Sequence, residues 1–266
     1  MSIDPSAKIH PSAVIEEGAV IGPDCQIGPF AIVGPEVTLG RGVVLKPHAV
    51  VTGWTSIGDE TVVFSFAVVG EVPQDLKFAG ERTRLEVGAR CRIREGATLN
   101  TGTAGGGGLT KIGDDCLLMT GAHIGHDAIL GNRIVLANQV AIAGHCHIGD
   151  DVVIGGLSGI HQFVRIGRGA MIGALSMVTN DVIPFGLVQG PRGELDGLNL
   201  VGLKRRGVER AEMHALRHAF EALGQGEGNF MERARRLAET TESDHVREVL
   251  SFIFDASDRS FLTPKV

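Results

Sequence analysis

Every sixth residue from Ile3 to Val69 is Ile, Leu or Val: Ile3, Ile9, Ile15, Ile21, Ile27, Val33, Leu39, Leu45, Val51, Ile57, Val63 and Val69. The beat resumes at Val87, Ile93 and Leu99, and again from Ile112 through Ile124, Ile142 and Ile160 to Val178. A helix repeats every 3.6 residues and a strand every two, so neither produces a strict six. A short fixed period of this kind marks a parallel β-helix, in which each repeat adds one face of a coil. Three hexads then close one triangular coil, and residues 18 apart stack about 4.8 Å from one another, the spacing of paired strands. The expected fold is mainly β, a hexapeptide-repeat prism over residues 1–183.

Composition agrees with a narrow core of small and β-branched side chains: 38 glycines, 5% aromatic residues and no tyrosine in 266 residues. Many beat residues are followed by glycine, as in Ile21-Gly22, Ile27-Gly28, Ile57-Gly58, Ile148-Gly149 and Ile166-Gly167. Glycine tolerates positive φ, so these glycines are expected to turn the corners. Cys25, Cys91, Cys116 and Cys146 each fall four residues after a beat, where other repeats carry Ala13, Ala19 or Ala122. They read as small buried apolar side chains. Stacked repeats need caps at their ends. From about Pro184 the beat stops, and residues 184–266 are expected to form a small C-terminal α-helical domain. Val208, Met213, Leu216, Phe220 and Leu223 have helical spacing, as do Phe230, Ala234 and Leu237, then Val246, Val249, Leu250 and Phe252. Gly224–Gly228 separates the first set from the second.

Two segments break the beat. Residues 71–84 (EVPQDLKFAGERTR) place charges and a proline where aliphatics are due, and residues 102–110 (GTAGGGGLT) shift the register. Both are expected as loops reaching a ligand or a neighbour. Gly105–Gly108 lacks the spacing of a nucleotide-binding loop and reads as flexible. A net charge of -6 argues against nucleic acid as a partner. The N-terminal residues show no basic and apolar leader pattern, and no apolar run approaches the roughly 20 residues that cross a bilayer. A cytoplasmic protein without an integral membrane segment is expected.

The chemistry concentrates in the late coils. By the 18-residue rule His126, Gly144 and Gln162 form one column, with His145 one residue past it and His161 one residue before it; His123 lies three residues from His126. Asp127 can orient the His126 ring and raise its basicity, making a general base. The Gly144 N–H, one coil away, can meet an anion developing beside that base. This suits acyl transfer to a hydroxyl. A competing use of three imidazoles on one edge is Zn²⁺ binding with an open water position, as in γ-class carbonic anhydrases. Against it, a carboxylate adjoins His126 while Gly144 and Gln162 fill the column. Lys204-Arg205-Arg206 can clamp a phosphate, since arginine offers a two-pronged donor.

The hexad prism, QDLKF (Gln74–Phe78), GAHIGHD (Gly121–Asp127), IHQF (Ile160–Phe163) and GLNLVGLKRRG (Gly197–Gly207) together resemble the bacterial UDP-N-acetylglucosamine O-acyltransferases over essentially the whole chain. The resemblance implies a left-handed coil, against the usual right-handed crossover, and a homotrimer with sites between subunits. It also implies transfer of a 3-hydroxyacyl group from acyl carrier protein to the sugar 3-hydroxyl of UDP-N-acetylglucosamine, the first step of lipid A assembly, without cofactor or metal. On that basis His126 is the base, Asp127 orients it and Gly144 holds the oxyanion. Gln74, Asp75, Lys77, His123, His145, His161 and Gln162 line the sugar and acyl cleft; Asn199, Arg205 and Arg206 meet the nucleotide; Met171 and Ala174 lie in the region that measures the acyl chain. Three positions depart from the family pattern: Pro191-Arg192-Gly193 in place of Asn-Pro-Ala, Phe78 in place of Tyr, and Thr101 in place of Arg. The sister N-acyltransferase carries a domain ahead of its hexads, whereas here the beat starts at Ile3.

Overall fold

The computed structural model describes residues 2–257 and 259–264. Successive two-residue strands are dealt in turn to three parallel sheets. Ser2–Ile3 starts the first sheet, Lys8–Ile9 the second and Val14–Ile15 the third; Val20–Ile21 then returns to the first, with Ser2 opposite Val20. The sheets hold nine, eleven and nine strands and form the three faces of a prism. In each strand the beat residue points inward: Leu39, Leu45, Val51 and Val63 are at most 1% exposed. The small residue four places later closes the interior, as Ala19, Cys25 and Ala31 do at 0%. All four cysteines are free and buried there.

The step between stacked strands is 18 residues wherever the beat is unbroken, as in His123↔Ala141↔Gly159. Each interruption is absorbed in a single coil. Trp54 pairs with Arg84 across the first loop, Thr98 with His123 across the second, and the coils on either side keep register.

The corners are built differently from the expectation. Gly22, Gly28, Gly58, Gly149 and Gly167 do not take positive φ. The left-handed residue lies three places after the beat and is usually not glycine: Asp24, Phe30, His48, Glu60, Asp127, His145 and Phe163 all have φ between 58° and 66°. Its N–H donates to the coil before, as His48 N does to Pro29 O at 3.1 Å. This regular bond offsets the conformational cost of a side chain in that region. The glycine directly after the beat is needed for close approach instead. A Cβ on Gly22 would lie 2.7 Å from Leu39 O, and one on Gly167 would lie 2.7 Å from Pro184 Cα. Gly167→Ala is therefore expected to destabilise the protein by about 1–3 kcal/mol, the usual cost of overpacking. The urea midpoint reports it, and an unchanged midpoint would refute the close-approach explanation.

The parallel ladder runs past residue 183, where the beat is lost. Gly186–Gln189 pairs with Met171–Ile172, Met171 facing Leu187, and Glu194–Leu198 folds back against it antiparallel. The helices follow: α1 (Leu200–Arg205), α2 (Arg210–Gly224), α3 (Phe230–Thr240) and α4 (Asp244–Phe254). Leu216, Leu223, Ala234, Val246, Val249 and Leu250 form the core of this bundle. Asn229 and Glu232 close a reciprocal cap at the start of α3. Arg168 on the last coils pairs with Glu248 of α4, Nε to Oε1 at 2.7 Å. Among the described residues no helix is long and apolar enough to cross a membrane.

Candidate active site

The strand His123–Ile124 ends the third sheet of its coil, and the corner from residue 125 to 128 carries the chain to the first sheet. His126 and Asp127 occupy this corner. The left-handed conformation at Asp127 (φ 59°) turns its carboxylate inward, where it is 1% exposed, while the His126 ring is 15% exposed. His126 Nδ1 lies 2.8 Å from Asp127 Oδ2. With Nδ1–H donating to the carboxylate, Nε2 keeps its lone pair for a substrate.

One coil on, the ring rests on Gly144: a Cβ there would fall 2.6 Å from His126 Cε1. Gly144 is buried, and its N–H donates to no atom among the described residues. At the vertex between the first and second sheets the N–H two places after the beat is occupied in several coils. Arg41, Ala89, Asp114 and Asn132 donate theirs, at 2.8 to 2.9 Å, to side-chain oxygens of Asp59, Asp114, Asn132 and Asp150 in the next coil. The next coil offers Gln162 above Gly144, and this side chain is exposed. A buried, unpaired donor is costly; this one stands beside Nε2, free to donate to an oxygen.

His145 (φ 62°) stands above Asp127. It meets the His126 ring edge-on at 4.9 Å and stacks on Phe163 at 4.4 Å. Burial holds the His145 imidazole below the usual histidine range, opposed by the Asp127 and Asp75 charges. His123 shares its Nδ1 with Thr98 Oγ1 at 2.8 Å and is also held low, first by burial and then by His126. Both rings are thus neutral hydrogen-bonding groups at neutral pH. Cys146, beneath the corner, is no nucleophile: burial pushes its thiol up to about 12.

In the loop from 71 to 84 Asp75 is half-buried and acts on His145 through its charge, while Gln74 and Lys77 are exposed. Its departures from the family pattern are accommodated in place. Thr101 is buried beneath the loop, accepts from Thr83 Oγ1 at 3.1 Å and donates its N–H to Glu71 O. Phe78 is half-buried, and Pro191 O accepts from Met177 N.

His161 is not part of the imidazole cluster. Its Nδ1 lies 2.8 Å from Arg259 Nη2, a residue no spacing rule connects to it. The zinc arrangement thereby loses its third imidazole. His126, Asp127 and His145 do offer three ligand atoms within 4.8 Å of one another. Both Asp127 oxygens, however, already accept hydrogen bonds, from Thr103 as well as from His126. The carboxylate is an anchored orienter. Thr103 and Thr110 were invisible to the hexad arithmetic, and residues 102–108 are not a loose loop: Ala104–Gly106 forms a 3₁₀ turn over Asp127.

The remaining expected residues gather elsewhere. Met171, Asn199, Arg205 and Arg206 line a cavity of about 700 Å³ on the outer face of the second sheet. Asn199 caps α1, accepting from Gly202 N and donating to Gly169 O. Arg206 Nε and Nη2 are buried without a partner. Ala174 is exposed, outside that cavity.

The hexad coils, with a histidine–carboxylate corner among them, place the chain among the hexapeptide-repeat transferases. The profile described as bacterial transferase hexapeptide (six repeats) matches residues 18–53, 109–144 and 145–180. A second, described as UDP N-acetylglucosamine O-acyltransferase, domain 2, matches residues 181–262. The chain is 68% identical over 203 residues to the acyl-[acyl-carrier-protein]–UDP-N-acetylglucosamine O-acyltransferase of Paracoccus denitrificans (strain Pd 1222), covering 76% of this chain and 77% of that one. To the protein of that name from Rhizobium etli it is 47% identical, with 84% and 82% covered. Among solved structures it resembles the Campylobacter jejuni UDP-N-acetylglucosamine acyltransferase (TM-score 0.91, 43% identity, 97% and 100% covered). It also resembles the Arabidopsis one (0.84, 34%, 96% and 100%). The chain belongs to the acyl-[acyl-carrier-protein]–UDP-N-acetylglucosamine O-acyltransferase family, as its QDLKF and GLNLVGLKRRG motifs imply, and its coil is the left-handed parallel β-helix.

Proposed function

We propose that this enzyme moves a 3-hydroxyacyl chain from acyl carrier protein to the 3-hydroxyl of UDP-N-acetylglucosamine, opening lipid A assembly. The observation that carries this reading is the unpaired Gly144 N–H facing a histidine whose other nitrogen is held by a buried carboxylate. His126 Nε2 takes the proton of the sugar hydroxyl as that oxygen attacks the thioester carbonyl. The new C–O bond pushes charge onto the carbonyl oxygen, which accepts the Gly144 N–H. Collapse breaks the C–S bond, and the imidazolium returns its proton to the departing thiolate. His123, His145, Asp75, Lys77, Gln74 and Gln162 position sugar and thioester around this step, with His161 at the margin.

The placement of the residues proposed to meet the nucleotide supports a homotrimer with shared sites. The His126 corner is the vertex between the third and first sheets, whereas Asn199, Arg205 and Arg206 sit on the second sheet, the face opposite that vertex. One ligand touches both sets only when a neighbouring copy brings its second-sheet face to this corner. Leu76, fully exposed on the loop that carries Asp75, suits such a neighbour. The unpartnered guanidinium nitrogens of Arg206 suit a diphosphate. The exposed Arg205 and Lys204 beside it suit an acidic carrier protein, whose encounter would weaken with salt. In this reading Met171 and Ala174 border the end of the acyl chain.

The test is a thioester transfer assay with acyl carrier protein donors of graded chain length, on UDP-N-acetylglucosamine and on its diamino analogue. Ester formation on the 3-hydroxyl with one preferred chain length is expected. No transfer from any donor would overturn the reading, and amide formation on the diamino sugar alone would change the acceptor.

A further inference from the structure

The geometry points to Thr103 as the residue that positions the general-base pair, with the glycine-rich turn around it holding Asp127 dry and aimed at His126. This rests on the acyl-transfer reading and adds to it a residue outside the hexads.

Thr103 grips both oxygens of the carboxylate. Its N–H donates to Asp127 Oδ1 at 2.8 Å and its hydroxyl to Oδ2 at 2.6 Å, the same oxygen that takes His126 Nδ1–H. Two points of attachment fix the carboxylate plane, and with it the ring. The hydroxyl hydrogen is itself directed: Thr103 Oγ1 accepts the Gly106 N–H at 3.2 Å, which leaves its proton for Asp127. From below, the Asp127 N–H donates to Thr110 Oγ1 at 2.7 Å. Thr103 is 6% exposed and Asp127 3%, so water does not substitute for these bonds.

The glycines serve close approach. A Cβ on Gly102 would lie 2.7 Å from Asp127 Oδ1, and one on Gly106 would lie 2.5 Å from the same atom. Only bare backbone fits between the turn and the carboxylate. On its outer side the turn is tied to the first loop, Ala104 N donating to Glu81 Oε1 at 3.1 Å. Thr103 acts through Asp127, not on the substrate; it is a positioning residue.

The experiment compares Thr103→Val, which keeps the shape without the hydroxyl, with Thr103→Ser, which keeps the hydroxyl. Each is made alone and in an Asp127→Ala background. Thr103→Val is expected to lower kcat about 10- to 100-fold, the size of one hydrogen bond to a charged group. KM for the sugar nucleotide should stay within about twofold, since ground-state binding is untouched. Thr103→Ser should recover most of the rate, and Thr103→Val should cost nothing further once Asp127 is alanine. Gly106→Ala, which leaves the hydroxyl in place and crowds Oδ1, should show the same loss in kcat alone. Wild-type kcat in Thr103→Val, or a full additional loss on top of Asp127→Ala, would overturn the positioning role. His126→Ala serves as the control: if it stays active, the acyl-transfer reading falls and this role falls with it; if it is dead, an unaffected Thr103→Val overturns the role of Thr103 alone.

Discussion

Replacing His126 by alanine is expected to lower kcat for acyl transfer by roughly 100- to 10,000-fold, the contribution of a well-placed general base. The ring makes one hydrogen bond, to Asp127, and otherwise meets Gly144 and the edge-on His145 ring at the mouth of a corner, so little of the fold depends on it. The Asp127 carboxylate keeps both bonds from Thr103 when the ring is gone. Circular dichroism and the thermal midpoint should therefore stay near those of the wild type while turnover disappears. KM for the sugar nucleotide should change far less than kcat, because the proton is transferred only in the transition state. Turnover close to wild type would remove His126 from the mechanism and return the neighbouring rings to consideration.

A second large effect is expected in stability, at the seam between prism and helices. Asp181 is 0% exposed and its carboxylate accepts three hydrogen bonds: from Arg165 N at 2.8 Å, Arg165 Nε at 2.7 Å and Ser257 Oγ at 2.6 Å. Arg165 is 14% exposed, donates to Phe252 O at the end of α4 and lies over the Phe252 ring. Asp181→Ala leaves a guanidinium buried without its counter-charge, which costs about 3–5 kcal/mol. Urea unfolding at fixed protein concentration measures this, since subunit association shifts apparent stability. Arg165→Met combined with Asp181→Ala should recover most of the loss, because a buried ion pair replaced whole by apolar groups is close to neutral. A midpoint in Asp181→Ala equal to wild type would show that the seam is held by the apolar contacts alone.

The coil was legible because each inward residue is an aliphatic at a fixed interval, and periodicity survives any ignorance of side-chain detail. The same interval sets His126 and Gly144 in one column with His145 one residue past it, and the structure brings these residues into contact. It misled at the glycines, since one residue type answers two demands, positive φ and absent volume, and spacing does not say which. It was silent wherever the chain leaves the count. Thr103 reaches Asp127 across an extruded turn, and Arg259 reaches His161 from the far end of the chain, 98 residues away. It also ended too early: Gly186–Gln189 still adds a strand to the second sheet, held there by backbone hydrogen bonds that need no aliphatic beat.

The N–H two places after the beat has a consequence for how such a coil acquires chemistry. Many turns of the prism bring a backbone donor to a vertex, and along the vertex between the first and second sheets a carboxylate or amide from the next turn plugs several of them. A coil of this kind is a column of sockets, some stoppered from within and others left open. The Gly144 N–H is one of the open ones, and there a basic nitrogen stands at the opening. In the proposed reading the reactive turn is told apart from its neighbours not by the open donor but by the histidine–carboxylate pair set beside it, a combination that a longer prism could repeat at any level without altering its core.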